Sequence, residues 1–302
     1  MQQPLVSFLM FTKDNPDYAD LTLKSIVLQT YDNIEVLICD TSKDNHIEEL
    51  VNKQFKPHFS YITYVRKEID TSQVVQAQVL MNMAKGEYVN FVCNGDLLYP
   101  QRIERLMKYF LEDNQRGIQV VMSNSAHFSN HGIVAEGTHG RKKLFLRESV
   151  VEGRGIGMFI LSESHRFLGT ITAALFRKSA IFSVGELHGH VYSLCWDLAT
   201  LLTALRKGST FYVPHTFVYS RDEERVAAQE DNVWNELIEE LEISSEVMKK
   251  NDFNMNKEKT EELVNVKVAQ IENALKSMMD VQARNRLMKI KGEMESLLQE
   301  IR

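Results

Sequence analysis

Cysteine is scarce in this chain. Three cysteines, Cys39, Cys93 and Cys195, lack C-x-x-C spacing, which excludes a disulfide framework and argues against a zinc site. Five prolines and fourteen glycines exclude a collagen-like or low-complexity chain. No run approaches the ~18 apolar residues that a membrane span needs. The opening stretch MQQPLVSFLMFTKDN has no basic n-region, so no signal peptide is expected. These absences together predict a cytoplasmic protein. Basic residues number 35 against 41 acidic, a net charge of −6, which argues against a general nucleic-acid binder. Neither G-x-G-x-x-G nor G-x-x-x-x-G-K-[ST] occurs, which argues against a dinucleotide fold and a P-loop NTPase. What remains is 302 residues, 44% hydrophobic, enough for a sizeable core.

The charge is unevenly placed. Residues 1–222 hold 23 basic and 23 acidic side chains, whereas residues 223–302 hold 12 and 18. The second stretch has no proline and only Gly292, and 257–302 carry a helical pattern. Two units are expected: 1–222 as the main domain and 223–302 as a helical C-terminal extension.

Apolar runs at Val6–Phe11, Ile34–Cys39, Tyr61–Val65, Glu87–Cys93 and Ile118–Met122 read as strands. Helical patterns at Tyr18–Gln29, His46–Phe55, Gln73–Ala84 and Gln101–Glu112 separate them. Continuous apolar strands alternating with helices predict an α/β fold with a mostly parallel sheet. Such sheets bind ligands beyond the carboxyl ends of their strands. There the chain places Thr12, Lys13 and Asp14, then Asp40, then Asp96. A carboxylate at such a place accepts hydrogen bonds from a ribose or base, or holds a hard cation on a diphosphate. Capping of the following helix is the alternative role for each.

Pro4 to Thr12 (PLVSFLMFT) resembles the opening strand P-x-V-S-x-I-I-P-T of family 2 glycosyltransferases, which have the GT-A fold. Leu23 to Tyr31 resembles their S-[IV]-L-x-Q-T-Y, and Asn33 to Asp40 resembles N-x-E-[IV]-[IL]-[IV]-V-D. Ala84 to Phe91 resembles A-x-G-E-Y-[IV]-x-F, which leads into the metal-binding D-x-D. Phe176 to Ala180 resembles F-R-[KR]-x-A. Cys195-Trp196-Asp197-Leu198 with Leu205 to Gly208 resembles E-D-W-D-L…L-x-x-G. The likeness spans roughly residues 4–221 and lies in the order and spacing of these pieces.

The resemblance implies a sugar transferred from a nucleotide sugar, UDP- or dTDP-linked, to an acceptor hydroxyl with inversion. It places Thr12, Asp14 and Asp40 by the nucleotide, and Asp96 on Mg2+ or Mn2+ at the diphosphate. Arg66 is a further candidate at the nucleotide, and His215, after the last strand, is either a second metal ligand or an ordinary loop histidine. The departures fall at the chemistry. Cys93 and Gly95 stand where the two D-x-D carboxylates belong, and Cys195 stands at the general base. Asp197, two residues on, is the nearest carboxylate and the expected base. If the segment is helical, positions i and i+2 face different ways, so a local shift is needed. These losses leave an alternative: a catalytically weak GT-A protein that binds nucleotide or glycan, or serves assembly.

Residues 132–169 hold seven of the fourteen glycines together with Arg141, Lys142, Lys143, Arg147, Arg154 and Arg166. They are expected to form an acceptor-side loop whose positive charge clamps diphosphate. In the extension, Leu287, Ile290, Met294, Leu297 and Ile301 recur at 3-4 spacing, a narrow seam suited to a partner helix. A homo-oligomer through these helices is therefore expected.

Overall fold

The computed structural model describes residues 3–129, 132–133, 144–163, 170–221 and 233–301. The first half alternates as the apolar runs predict. It runs β1 (Val6–Thr12), α1 (Pro16–Val27), β2 (Ile34–Asp40), α2 (His46–Leu50), β3 (Ile62–Arg66), α3 (Gln73–Met83) and β4 (Tyr88–Val92). Then follow β5 (Leu97–Leu98), α4 (Arg102–Glu112), β6 (Ile118–Ser129), β7 (Gly132–Ile133), β8 (Ser149–Val151) and α5 (Gly153–Ser162). The rest is β9 (Ala174–Arg177), a hairpin of β10 (Glu186–Leu187) and β11 (His190–Val191), α6 (Trp196–Leu205) and β12 (Ser209–Arg221). Three helices close the chain: α7 (Val233–Lys250), α8 (Lys257–Ser277) and α9 (Val281–Ile301).

The main sheet runs β3-β2-β1-β4-β9-β6-β12-β5. β1, β2, β3 and β4 are mutually parallel, as are β6 and β12, while β9 enters antiparallel between β4 and β6. β1 is buried along its whole length, which explains its unbroken apolar run. Helix α1 begins two residues before the expected start, because Asn15 caps it by accepting from the Tyr18 N–H and Pro16 suits the first turn. The helix expected over His46–Phe55 is α2 followed by one π-helical turn at Val51–Phe55.

Two apolar clusters flank the sheet. One packs α1, α2 and α4 on one face, through residues such as Leu23, Ile47 and Leu106. The other packs α3, α5 and α6 on the opposite face and continues without interruption into α7, α8 and α9. The segment expected as an acceptor-side loop is thus partly helix: Gly153 and Gly157 lie buried on α5. An added Cβ on Gly157 would stand 2.4 Å from the Phe253 ring, so glycine permits this close approach. Arg154, expected at diphosphate, donates to the Asn254 carbonyl at 2.5 Å. Arg141, Lys142, Lys143 and Arg166 lie outside the described residues, as does the 222/223 boundary.

The chain turns between α7 and α8, with Asn251 and Asn254 at positive φ. Asp252 in that turn, 4% exposed at its side chain, pairs with His188 at 2.7 Å and with Arg206 at 3.2 Å. Leu287, Ile290 and Met294 are buried against the chain's own helices. Burying such a side chain is worth ~1.5–3 kcal/mol. Leu287, Ile290 and Met294, part of the seam on which a homo-oligomer is expected, are therefore covered within one chain, by α7 and α8.

Candidate active site

Thr12, Asp40 and Arg66 end three neighbouring parallel strands, and the registers align them: Thr12 with Asp40, and Asp40 with Arg66. Beyond them the chain binds itself together. The Thr41 N–H donates to the Thr12 carbonyl at 3.1 Å, and the Lys67 N–H to the Asp40 carbonyl at 2.9 Å. Asp14, at φ 52°, donates its N–H to Ser42 Oγ at 2.8 Å and accepts from the Lys43 N–H at 2.8 Å. Arg66 donates to the Ser42 carbonyl at 3.0 Å and lies 3.8 Å from Glu48. Thr12, Asp14, Asp40 and Arg66 thus converge on the turn 40–43.

Asp40 does not reach the crevice itself. It is 0% exposed. One oxygen accepts from the Ser42 N–H at 2.9 Å and the Ser42 hydroxyl at 2.5 Å, and the other accepts from the Tyr64 hydroxyl at 2.6 Å. Burial, then the hydrogen bond to Asp40, push the Tyr64 hydroxyl far above its usual range. Asp40 therefore shapes the turn, correcting the expectation that it receives the ribose or base directly. Asp14 and Arg66 are the exposed polar groups of this cluster. Thr12 Oγ1 is buried and has no hydrogen-bond partner.

Asp96 follows β4. It lies in the turn between β4 and β5, and β1 separates β2 from β4, so Asp40 and Asp96 do not follow adjacent strands. Asp96 is 2% exposed. It accepts from the Thr170 hydroxyl at 2.9 Å, and also from Thr172, Ser220 and the Arg221 N–H. Burial raises its pKa, against the lowering effect of those donors. Behind it lies Arg102, 0% exposed, which donates to Asn90 at 2.8 Å and to the Thr172 carbonyl at 2.6 Å. Burial pulls the Arg102 guanidinium down to about 9, opposed by the Asp96 charge.

These residues do not fit a divalent cation. Asp96 has spent its acceptor capacity on four internal donors. Cys93, which burial and then Asp96 push up to about 12, stays a thiol. Gly95 has no side chain to offer, and its φ of +84° disfavours one. His215 is exposed in a bulge of β12, its ring 5.9 Å from that of Phe217. Tyr219, four residues later, pairs with Leu97 next to Asp96, so His215 lies about 13 Å back along the strand. The expected Asp96–His215 metal pair is thus not assembled. Among the described residues no other group of three His, Cys, Asp or Glu could hold a metal.

Helix α6 brings the remaining carboxylate. Cys195 is its N-cap residue, 0% exposed, with its thiol donating to the Glu236 carbonyl at 3.4 Å. Burial, then the Asp197 charge, push that thiol far up, so it is no base. Asp197 lies in the first turn, half-buried, accepting from the Leu198 N–H at 2.8 Å. Its charge also raises the Cys93 thiol, as does that of Asp96. Cys195 turns its thiol toward α7, while Asp197 lies near enough for its charge to act on Cys93. Trp196 between them packs edge-on to Phe11 and Phe91 at 5.6 and 5.3 Å.

Sequence reasoning missed Tyr64, Ser42, Thr170 and Thr172. These are ordinary polar residues whose role depends on the partners the fold supplies.

The chain matches the model of glycosyl transferase family 2 over residues 7–161. It is 22% identical over 211 residues to TuaG of Bacillus subtilis (strain 168), named for teichuronic acid biosynthesis, covering 70% of this chain and 75% of that one. An uncharacterized glycosyltransferase of Methanocaldococcus jannaschii is 27% identical over 124 residues, covering 41% of this chain. The match spans only 42% of that relative's length. Among solved structures, S. aureus TarS 1–349 in complex with UDP-GlcNAc superposes with a TM-score of 0.68 at 13% identity, covering 98% of this chain and 82% of that chain. At that identity the likeness concerns the fold, which is GT-A with C-terminal helices.

Proposed function

The chain belongs to glycosyl transferase family 2, and from that premise we propose that it transfers a sugar from a UDP- or dTDP-linked donor to an acceptor hydroxyl with inversion. Thr12, Asp14 and Arg66 border the nucleotide on the turn that Asp40 holds. Asp197 is the general base. It takes the proton of the acceptor hydroxyl while that oxygen bonds to the anomeric carbon from the face opposite the diphosphate. The bond from the anomeric carbon to the diphosphate oxygen breaks, and the nucleoside diphosphate leaves with the electron pair. Members of GT-A families commonly use a divalent metal, but the described residues of this chain do not fit one, and no step is assigned to it. The exposed cations Lys13 and Arg66 offset charge on the leaving group.

The observation that carries this reading is the alignment of Thr12, Asp40 and Arg66 at the ends of three neighbouring parallel strands, with Asp14 and Arg66 bonded onto the turn beyond them. The complex of TarS with UDP-GlcNAc supports a UDP-sugar. We take 1–222 as the catalytic domain and 223–302 as an extension docked on it. Three free cysteines suit a cytoplasmic setting, and no described helix is long and apolar enough to cross a membrane.

Calorimetric titration with a panel of nucleoside diphosphates, followed by turnover of the corresponding UDP- or dTDP-sugars, tests the reading. Asp197→Asn should bind nucleotide as the native chain does and lose turnover by ~10²–10⁴-fold, the usual contribution of a general base. Native turnover in that variant would overturn the assignment.

A further inference from the structure

The segment that leads into helix α6 is held from outside its own element. No side chain at the N-cap makes a capping bond. Glu239 on α7 binds the main chain just before the helix and at its N-cap, one of the N–H groups that a helix leaves without an intrahelical partner. Its Oε2 accepts from the N–H groups of Leu194 at 2.8 Å and Cys195 at 2.9 Å. Its Oε1 accepts from the Ser193 N–H and hydroxyl, both at 3.4 Å. One carboxylate thus holds three consecutive residues at the entry of the helix whose first turn carries Asp197.

We propose that Glu239 is a positioning residue for Asp197, so that the helical extension completes the catalytic centre instead of merely following it. This rests on the assignment of Asp197 as base. Glu239 is itself held firmly. Its helix is anchored where the chain turns after it, by Asp252 on His188 and Arg206 and by Phe253 against Gly157. The thiol of Cys195 is turned onto the Glu236 carbonyl one helical turn away. The segment 193–195 is therefore pinned on its α7 side by both its main chain and a side chain. Asp197 follows two residues later, in the first turn of α6. A displacement of the order of 1 Å at a reacting group can cost ~10²-fold in rate, so the fixing of this entry matters to turnover.

Two conservative variants separate reach from charge. Glu239→Gln keeps the reach: its amide oxygen can retain the bonds from Leu194 and Cys195. Glu239→Asp keeps the charge but is one methylene short. Turnover is followed as UDP release from UDP-GlcNAc by the full-length chain, with UDP titration giving the fraction of competent sites. Glu239→Gln should keep kcat within ~5-fold of native, and Glu239→Asp should lower it ~10–100-fold, both with the donor KM within ~2-fold. Hydrogen exchange gives a readout independent of turnover. The amides of Leu194 and Cys195 should exchange faster in Glu239→Asp than in Glu239→Gln, with β1 to β4 unchanged.

Equal kcat and equal exchange in the two variants would overturn the proposal. So would native kcat in Glu239→Asp alongside an inactive Asp197→Asn, which leaves the base in place and removes only its positioning. Full turnover in Asp197→Asn would instead end the base assignment itself.

Discussion

The Tyr64 hydroxyl donates to Asp40 at 2.6 Å, and this closes the carboxylate that ends β2 off from the crevice. Removing the hydroxyl leaves a buried carboxylate oxygen without its donor. Tyr64→Phe should therefore lower stability by about 1–3 kcal/mol, the range for a hydrogen bond to a charged group and the desolvation left behind. Urea unfolding measures it. UDP affinity in the folded variant should change by less than ~3-fold, because Asp40 shapes the turn without touching the ligand. A tenfold loss of affinity with stability intact would return Asp40 to the ligand's own contacts.

Gly95 faces the stem of Arg221. An added Cβ would stand 3.3 Å from Arg221 Cδ, while the guanidinium lies 4.1 Å from the Tyr18 ring and 4.4 Å from the Phe128 ring. Putting back the second carboxylate of a D-x-D should thus be costly. Gly95→Asp is expected to lose about 1–3 kcal/mol, from the left-handed backbone and the crowded stem together. Nor should it create a metal site: nucleotide affinity with and without Mn2+ should agree within ~2-fold, in the native chain as in the variant. A Mn2+-dependent rise of tenfold in the native chain would refute the fit test at Asp96.

Asp96 has its pKa raised by burial. A raised pKa means that the folded state holds the proton more tightly than the unfolded one. The stability linked to it is present below the ordinary value of 3.8 and is lost as pH rises through the folded value. Asp96→Asn cannot ionise. The stability of the native chain relative to Asp96→Asn should therefore decline as pH rises above about 4, measured by denaturant unfolding at several pH values. A difference that rises with pH would show that the donors around Asp96 outweigh its burial.

Gly157 and Phe253 couple the catalytic domain to the extension. A methyl group at 157 would meet the Phe253 ring at 2.4 Å. Gly157→Ala should cost about 1–3 kcal/mol by overpacking. Phe253→Leu makes room, so the double variant should lose less than the sum of the two single losses. Strict additivity in a double-mutant cycle would mean that the two residues do not meet.

Much was legible in the residues themselves. The buried strands appear as apolar runs because both faces of a parallel sheet are covered, and the turns after β1, β2 and β4 appear as polar clusters because each chain end must leave the sheet there. The resemblance to the family's motifs assigns Thr12, Asp14 and Asp40 to one region, with Arg66 as a further candidate. What the side chains do there depends on partners distant in sequence: Tyr64 for Asp40, and Thr170 and Ser220 for Asp96. Local spacing carries no record of them. The same holds for Asp197. Its face on α6 follows from helical periodicity, but its proximity to Cys93 needed the sheet and helix packed together. The seam at Leu287, Ile290 and Met294 shows the limit most clearly. An amphipathic stripe requires that some apolar surface cover it, because exposed apolar area is unfavourable, and that much the sequence determines. Whether a second copy or the chain's own α7 and α8 does the covering is decided by which surface lies within reach of the folded chain, and only the tertiary structure contains that.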